Sequence, residues 1–204
     1  MVSTSKAIIV SQEKGVNQGD VFKDVKYSFI DSEDNESIDI IEYTFPYAIV
    51  VSQSCDVAFM DGFESGAHSA PVKYMPSILM CPIYSKDLIA HGEHLKEIFE
   101  DINRTLINGA PYYNKDDSRT TEKDQHVRFH ALKVNVNDKT IIDNMVIDFK
   151  HIFSVPMKYL RNNRDNRICS IEDIYIDQIV NKMAAYLSRI GLPDPKINKN
   201  DEKQ

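Results

Sequence analysis

The chain has 204 residues, of which 42% are hydrophobic and 27% charged, with no Trp but 10 Tyr and 9 Phe. That is enough to build a core of ordinary domain size, and it excludes a chain that is disordered throughout. The formal net charge of −7 excludes a globally basic nucleic-acid binder, while leaving room for a local basic face.

No apolar run approaches the roughly 20 residues that span a bilayer. The apolar stretch Ala7-Ile8-Ile9-Val10 is shorter than the ~7–15 residues of a secretory signal core. Cys55, Cys81 and Cys169 are odd in number and widely spaced, unlike a disulfide framework. A cytoplasmic protein with no membrane contact is expected. Charge is unevenly spread. Residues 1–149 hold 14 Lys/Arg against 24 Asp/Glu, and residues 150–204 hold 10 against 7. The basic excess lies in Lys150, Lys158, Arg161, Arg164 and Arg167, opposed locally only by Asp165.

In chain order, Gly19-Asp20-Val21-Phe22 opens a strand, and the acidic run 31–37 reads as a loop. Ile38, Ile40, Ile41, Tyr43 and Phe45 lead to Pro46. Next, Tyr47-Ala48-Ile49-Val50-Val51 has the pattern of a strand buried on both faces. Ser52-Gln53-Ser54-Cys55-Asp56 suits a turn, and Met60 to Ala70, with two Gly, reads as a surface loop. Ser77 to Tyr84 is a strand in which Pro82 forces an edge or a bulge. Leu95, Ile98, Phe99, Ile102 and Leu106 recur at helical steps, so residues 93–108 predict an amphipathic helix. Residues 114–125 are almost wholly polar.

Alternation returns from His126, and Asn137-Asp138-Lys139 marks a turn, so a β-hairpin is expected here. A last helix follows, with Ser170 and Asp173 as a capping signature and Gly191 with Pro193 as the stop. Its apolar face comprises Ile171, Ile174, Tyr175, Ile179, Met183, Tyr186 and Ile190. Packing against the strands and a subunit interface between two copies are both open to it. The expected fold is α+β: a small, bent antiparallel β-barrel with an inserted helix and a C-terminal helix. It occupies residues 1–190, with the helical insertion at about 87–125 and a polar tail at 191–204.

Three short blocks, in order, carry a resemblance. Gly19-Asp20-Val21-Phe22, Pro46-Tyr47-Ala48-Ile49-Val50-Val51-Ser52 and Leu79-Met80-Cys81-Pro82-Ile83-Tyr84-Ser85 resemble the opening and two strands of the PemK/MazF-like toxins. The likeness covers roughly residues 17–86. It implies an SH3-like barrel, metal-independent RNA cleavage, and a toxin–antitoxin or antiviral setting with RNA or a cognate protein as partner. The Ser52-x-x-Cys55-Asp56 segment and the ending from Asp148-Phe149-Lys150 through the last helix to Gly191-Leu192-Pro193 resemble a group of uncharacterised bacterial proteins that share this barrel opening. Two positions depart from the toxins. Phe45 stands where they have Arg before the Pro, and Tyr84 stands where they have Thr. RNA cleavage needs a proton acceptor and a cation for charge developing on phosphate, and Phe45 supplies neither. The inherited catalytic pair is therefore replaced.

A relocated endoribonuclease centre would draw on five residues. Cys55 could act as a nucleophile and Asp56 as a base or a His-orienting group. His126, Arg128 and His130 alternate, which on a strand puts two imidazoles and a guanidinium on one face. The plainer reading has Cys55 and Asp56 filling a turn and the three alternating residues forming a solvated face. Lys158, Arg161, Arg164 and Arg167, with Tyr159 among them, could follow a phosphate backbone, or could be an ordinary solvated connection. Cys55, Cys81, His126 and His130 are ligand types for zinc, but no tight pair fixes them, so no metal and no cofactor are expected. Three readings follow: an RNA- or partner-binding barrel, a metal-independent endoribonuclease, and a pure protein-interaction subunit.

Overall fold

A computed structural model describes residues 4–9, 14–33, 37–64, 66, 74–91, 93–95 and 126–189. The strands are β1 (Thr4–Ile8), β2 (Asp20–Glu33), β3 (Ile38–Val50), β4 (Ile78–Ser85), β5 (Phe129–Val136), β6 (Lys139–Asp148), β7 (Phe153–Val155) and β8 (Arg167–Ile171). The helices are α1 (Ser54–Glu64), α2 (Lys86–His91), α3 (Met157–Asn162) and α4 (Asp173–Leu187). Short 3-10 turns occupy Glu93–Leu95, Phe149–His151 and Arg164–Asn166. The helix expected at 93–108 lies outside the described residues beyond its first turn, as do the polar stretch 114–125 and the tail.

The strands form one curved, mostly antiparallel sheet in the order β3-β2-β8-β1-β5-β6-β4, and β4 pairs back to β3. Its two ends therefore meet and the sheet takes a ring-like shape. Among the described strands, only β1 and β5 run parallel. β7 adds to β4 alongside. The fold is thus mixed α+β, as the strand and helix patterns predicted.

The ring divides its side chains into two clusters. One receives Ala7, Val21, Ile49, Cys81, Leu132, Ile147 and Cys169, one from each of the seven ring strands, together with Ile176, Ile179 and Met183 of α4. The other receives Phe22, Phe45, Ala48, Val50, Met80 and Tyr84 with Val57 and Met60 of α1 and Leu160 of α3. Successive residues of β3 alternate between the clusters, and this is why residues 48–51 are apolar without interruption. Each fully buried Val, Ile, Leu, Phe or Met side chain among them contributes about 1.5–3 kcal/mol of apolar burial.

Gly19 is needed at the ring's seam. Its φ is 88°, and a Cβ there would lie 3.0 Å from the Ile171 carbonyl oxygen. Its N–H donates to Val50 at 2.9 Å, and its carbonyl accepts from Ile171 at 3.0 Å. The Gly-Asp opening thus has a structural cause, since only a residue lacking Cβ fits where β2, β3 and β8 converge.

Several expectations change. Residues 54–64 form helix α1 rather than a turn followed by a loop, because Gln53 accepts the Asp56 and Val57 amides and starts a helical turn. Pro82 is on no edge. β4 pairs with β7 through residues 78–80 and with β6 through residues 83–85, so Pro82 falls in the interval between them. Ser170 does not cap α4. It lies on β8, paired with Ile8 and Asp20, and Glu172 is the N-cap without a side-chain bond. Ile174 is exposed, and the buried face of α4 is Ile176, Ile179 and Met183. The β5–β6 hairpin is as expected. Its two-residue turn, Asn137 and Asp138, has both φ values positive, 47° and 61°, as right-twisted hairpins favour.

Candidate functional site

The interval at Pro82 is filled by the Phe149–His151 turn. Asp148 ends β6, caps this turn by accepting the Lys150 amide at 3.0 Å, and is fully buried. Arg128, just before β5, reaches it as a fork. Nε donates to Asp148 Oδ1 at 2.7 Å and Nη2 to Oδ2 at 2.6 Å. The guanidinium also lies 4.7 Å from the centre of the Phe129 ring. A bidentate, buried pair of this kind holds the carboxylate in one orientation.

Two imidazoles complete the cluster. His151 Nδ1 lies 3.2 Å from Asp148 Oδ2 and 3.4 Å from the Tyr84 hydroxyl. His94, from the Glu93–Leu95 turn, is buried and stacks on His151 with ring centres 5.9 Å apart. It also meets the Tyr84 ring edge-on at 5.0 Å. Ligand atoms of His94, Asp148 and His151 all lie within 4.8 Å of one another. His151 and Arg128 keep about a fifth and a sixth of their side chains exposed, 21% and 16%, so they form the solvent-facing rim.

Burial pushes His94 down to about 4, with neighbouring His151 adding to the effect; Asp148 and a backbone hydrogen bond to Leu88 work the other way. Burial lowers His151 as well, opposed by the Asp148 charge. Both rings are therefore held neutral near pH 7, as proton acceptors or ligands rather than as fixed cations.

Of the five residues expected to carry chemistry, only Arg128 joins this cluster. His126, Val127 and Arg128 precede β5, which begins at Phe129, so the three alternating side chains do not share one strand face. His126 Nδ1 accepts the Arg128 and Phe129 amides, both at 3.2 Å. His130 is on β5, buried, paired in register with Ile147. Cys55 is exposed in the first turn of α1. Its Sγ lies 3.6 Å from Asp56 Oδ1 and 3.9 Å from Gln53 Oε1, contacts confined to its own turn. Ser52 accepts the Leu79 amide at 2.8 Å, so this segment also anchors β3 to β4.

The candidate phosphate contacts separate too. The Arg167 side chain is 1% exposed and donates through Nη1 to Asp20 Oδ2 at 2.8 Å and to the Gly15 carbonyl. It ties residues 14–17 to the sheet and is withdrawn from solvent. Lys158 is exposed, and Arg161 and Arg164 are partly so. Tyr159 accepts the Lys26 amide at 2.8 Å. Phe45, at the position where the toxins carry Arg, is buried and stacks on Phe153 at 4.3 Å.

Sequence reasoning missed His94, Asp148 and His151. The Asp148-x-x-His151 spacing at a strand end was the available signal. Nothing local linked His94 to it.

Fold and site together define a curved-sheet α+β protein with a buried Arg–Asp–His–His cluster beside one β-strand. Beyond that class no relative is in hand: no family model, no curated protein and no solved structure matches the chain. Among the described residues, no helix is long and apolar enough to cross a membrane.

Proposed function

We propose that the chain is a PemK/MazF-like barrel acting on RNA, with a metal-independent phosphodiester-cleaving centre at His151, His94 and Arg128. The toxin–antitoxin or antiviral setting follows from the same resemblance. One observation carries the reading: His151 is braced by Asp148 at 3.2 Å, beside a guanidinium, at the rim of the site. This supplies a proton acceptor and a cation, the two parts lost at Phe45 and Tyr84.

The geometry supports the following steps. The bond from Nδ1 to Asp148 favours the tautomer whose Nε2 has a free lone pair. Nε2 takes the proton of a ribose 2′-hydroxyl, and the 2′-oxygen attacks the adjacent phosphorus. Arg128 faces the charge that grows on the phosphate oxygens; general-base and electrostatic effects of this kind contribute roughly 10²–10⁴-fold each. The bond to the 5′-oxygen breaks, and that oxygen takes a proton from water. Asp148 remains ionised and positions His151. His94 backs the His151 ring.

Incubating RNA with the protein in a chelator tests this. Fragments ending in 2′,3′-cyclic phosphate are expected, with cleavage falling at least about a hundredfold in His151→Ala. A second reading, RNA binding without cleavage, is favoured by the burial of Asp148 and His94. It predicts retention of intact RNA that weakens with salt.

A further inference from the structure

We infer that His94, Asp148 and His151 form a binding site for a single divalent transition-metal ion of the zinc class. The geometry is the argument. Ligand atoms around tetrahedral zinc, at bonds near 2.0–2.2 Å, stand about 3.3 Å apart. His151 Nδ1 and Asp148 Oδ2 are already 3.2 Å apart, and the widest separation in the trio is within 4.8 Å. An ion would have to draw the outlying ligand atom in by at most about 1.5 Å.

The carboxylate is prepared for such an ion. It has about four lone-pair positions. Arg128 Nε, Arg128 Nη2 and the Lys150 amide occupy three. The fourth is directed to His151, where the ion would enter. Arg128 and the Lys150 amide then serve as the outer partners that orient a ligating carboxylate. Two nitrogens and one oxygen, with the fourth position next to the Tyr84 hydroxyl, match zinc or cobalt rather than calcium or magnesium, which take oxygen sets. The positive charge of Arg128 weakens the site relative to one with an unshared carboxylate. A reversible site is therefore expected, not a permanent structural one.

The ion would occupy the same imidazole that the RNA-cleaving reading uses as its base. On that reading, and resting on it, zinc acts as an inhibitor. Binding itself does not depend on it.

The test uses the intact chain, stripped with chelator and titrated with Co2+ and with Zn2+. One equivalent per chain is expected, with the visible absorption of low-symmetry Co2+ and a concentration-dependent rise in melting temperature. His151→Gln and His94→Gln should each weaken binding at least about a hundredfold. Because His94 is buried, the folded state of each variant is checked by its ion-free melting curve, and His151→Gln, at the rim, carries the test if His94→Gln does not fold. Binding unaltered in a folded His151→Gln variant, or no saturable binding to the native chain, overturns the inference. RNA cleavage assayed separately in chelator decides the fate of the other reading, so the two failures are distinguishable.

Discussion

Arg128 and Asp148 are joined by two short bonds, 2.7 and 2.6 Å, with the carboxylate fully removed from solvent. Such a pair adds little net stability when complete, yet breaking it leaves a buried charge. Arg128→Ala is expected to destabilise the fold by about 3–5 kcal/mol, measured by urea unfolding. Removing both partners, as Arg128→Met with Asp148→Leu, should recover much of that loss. A single variant as stable as the native chain would contradict the geometry.

The lowered His94 sets an acid limit. The unfolded chain has His94 near 6.5, against about 4 when folded. Between those values the unfolded state binds a proton that the folded state refuses. Stability is therefore fully present above about pH 6.5, falls as pH drops toward about 4, and levels below that. His94 alone contributes up to about 3 kcal/mol of this slope, and His151 adds in the same direction. His94→Phe keeps a ring against Tyr84 and should flatten the slope of unfolding midpoint against pH. An unchanged slope would place the acid sensitivity elsewhere.

Arg167 and its neighbours should behave differently. Burial raises the pKa of Asp20 despite Arg167, which opposes that shift. Arg167→Met therefore strands a carboxyl that is already costly to ionise, and should destabilise by about 3–5 kcal/mol. Arg161→Glu and Arg164→Glu should leave stability within about 1 kcal/mol. If RNA lies along this stretch, each should reduce the slope of log affinity against log salt by about 1. RNA retention lost in Arg167→Met with folding intact would reverse this assignment.

The three thiols should separate by reactivity. Cys55 is exposed, while Cys81 and Cys169 are buried. Burial pushes Cys169 up to about 12, with the Asp20 charge adding to it, and raises Cys81 as well. A thiol reagent at neutral pH should label one cysteine rapidly in the native chain and three after unfolding. Mass spectrometry locates the label, and rapid labelling of Cys81 would contradict the packing of its Sγ against Met183, 3.8 Å away.

What could be read from the sequence was local. Alternation across residues 129–148 and the Asn137-Asp138 pair encode the hairpin directly, because turn chemistry and period-2 burial both act at short range. The unbroken apolar residues 48–51 announced burial on two faces. Helix α1 was hidden because Ser52 to Asp56 serve a turn and a helix start equally well, and what decides is the burial of Val57 and Met60 in the cluster that also holds Met80 and Leu160. Pro82 misled because its tolerance comes from β4 changing partner at that point. The cluster was least legible. Arg128, Asp148 and His151 meet through a register pairing, and His94 arrives from another segment altogether.

The proposal that His151, braced by Asp148 and flanked by Arg128, is the reacting base on RNA meets its strictest test in the pH dependence of cleavage. The most direct measurement is the rate of RNA cleavage in excess chelator across about pH 5 to 8, for the native chain, His151→Ala and Cys55→Ala. Cyclic-phosphate fragments are expected, formed at a rate that rises with pH through a midpoint below 6.5 and disappears in His151→Ala. RNA left intact by the native chain at every pH, or cleavage abolished by Cys55→Ala and untouched by His151→Ala, would contradict it.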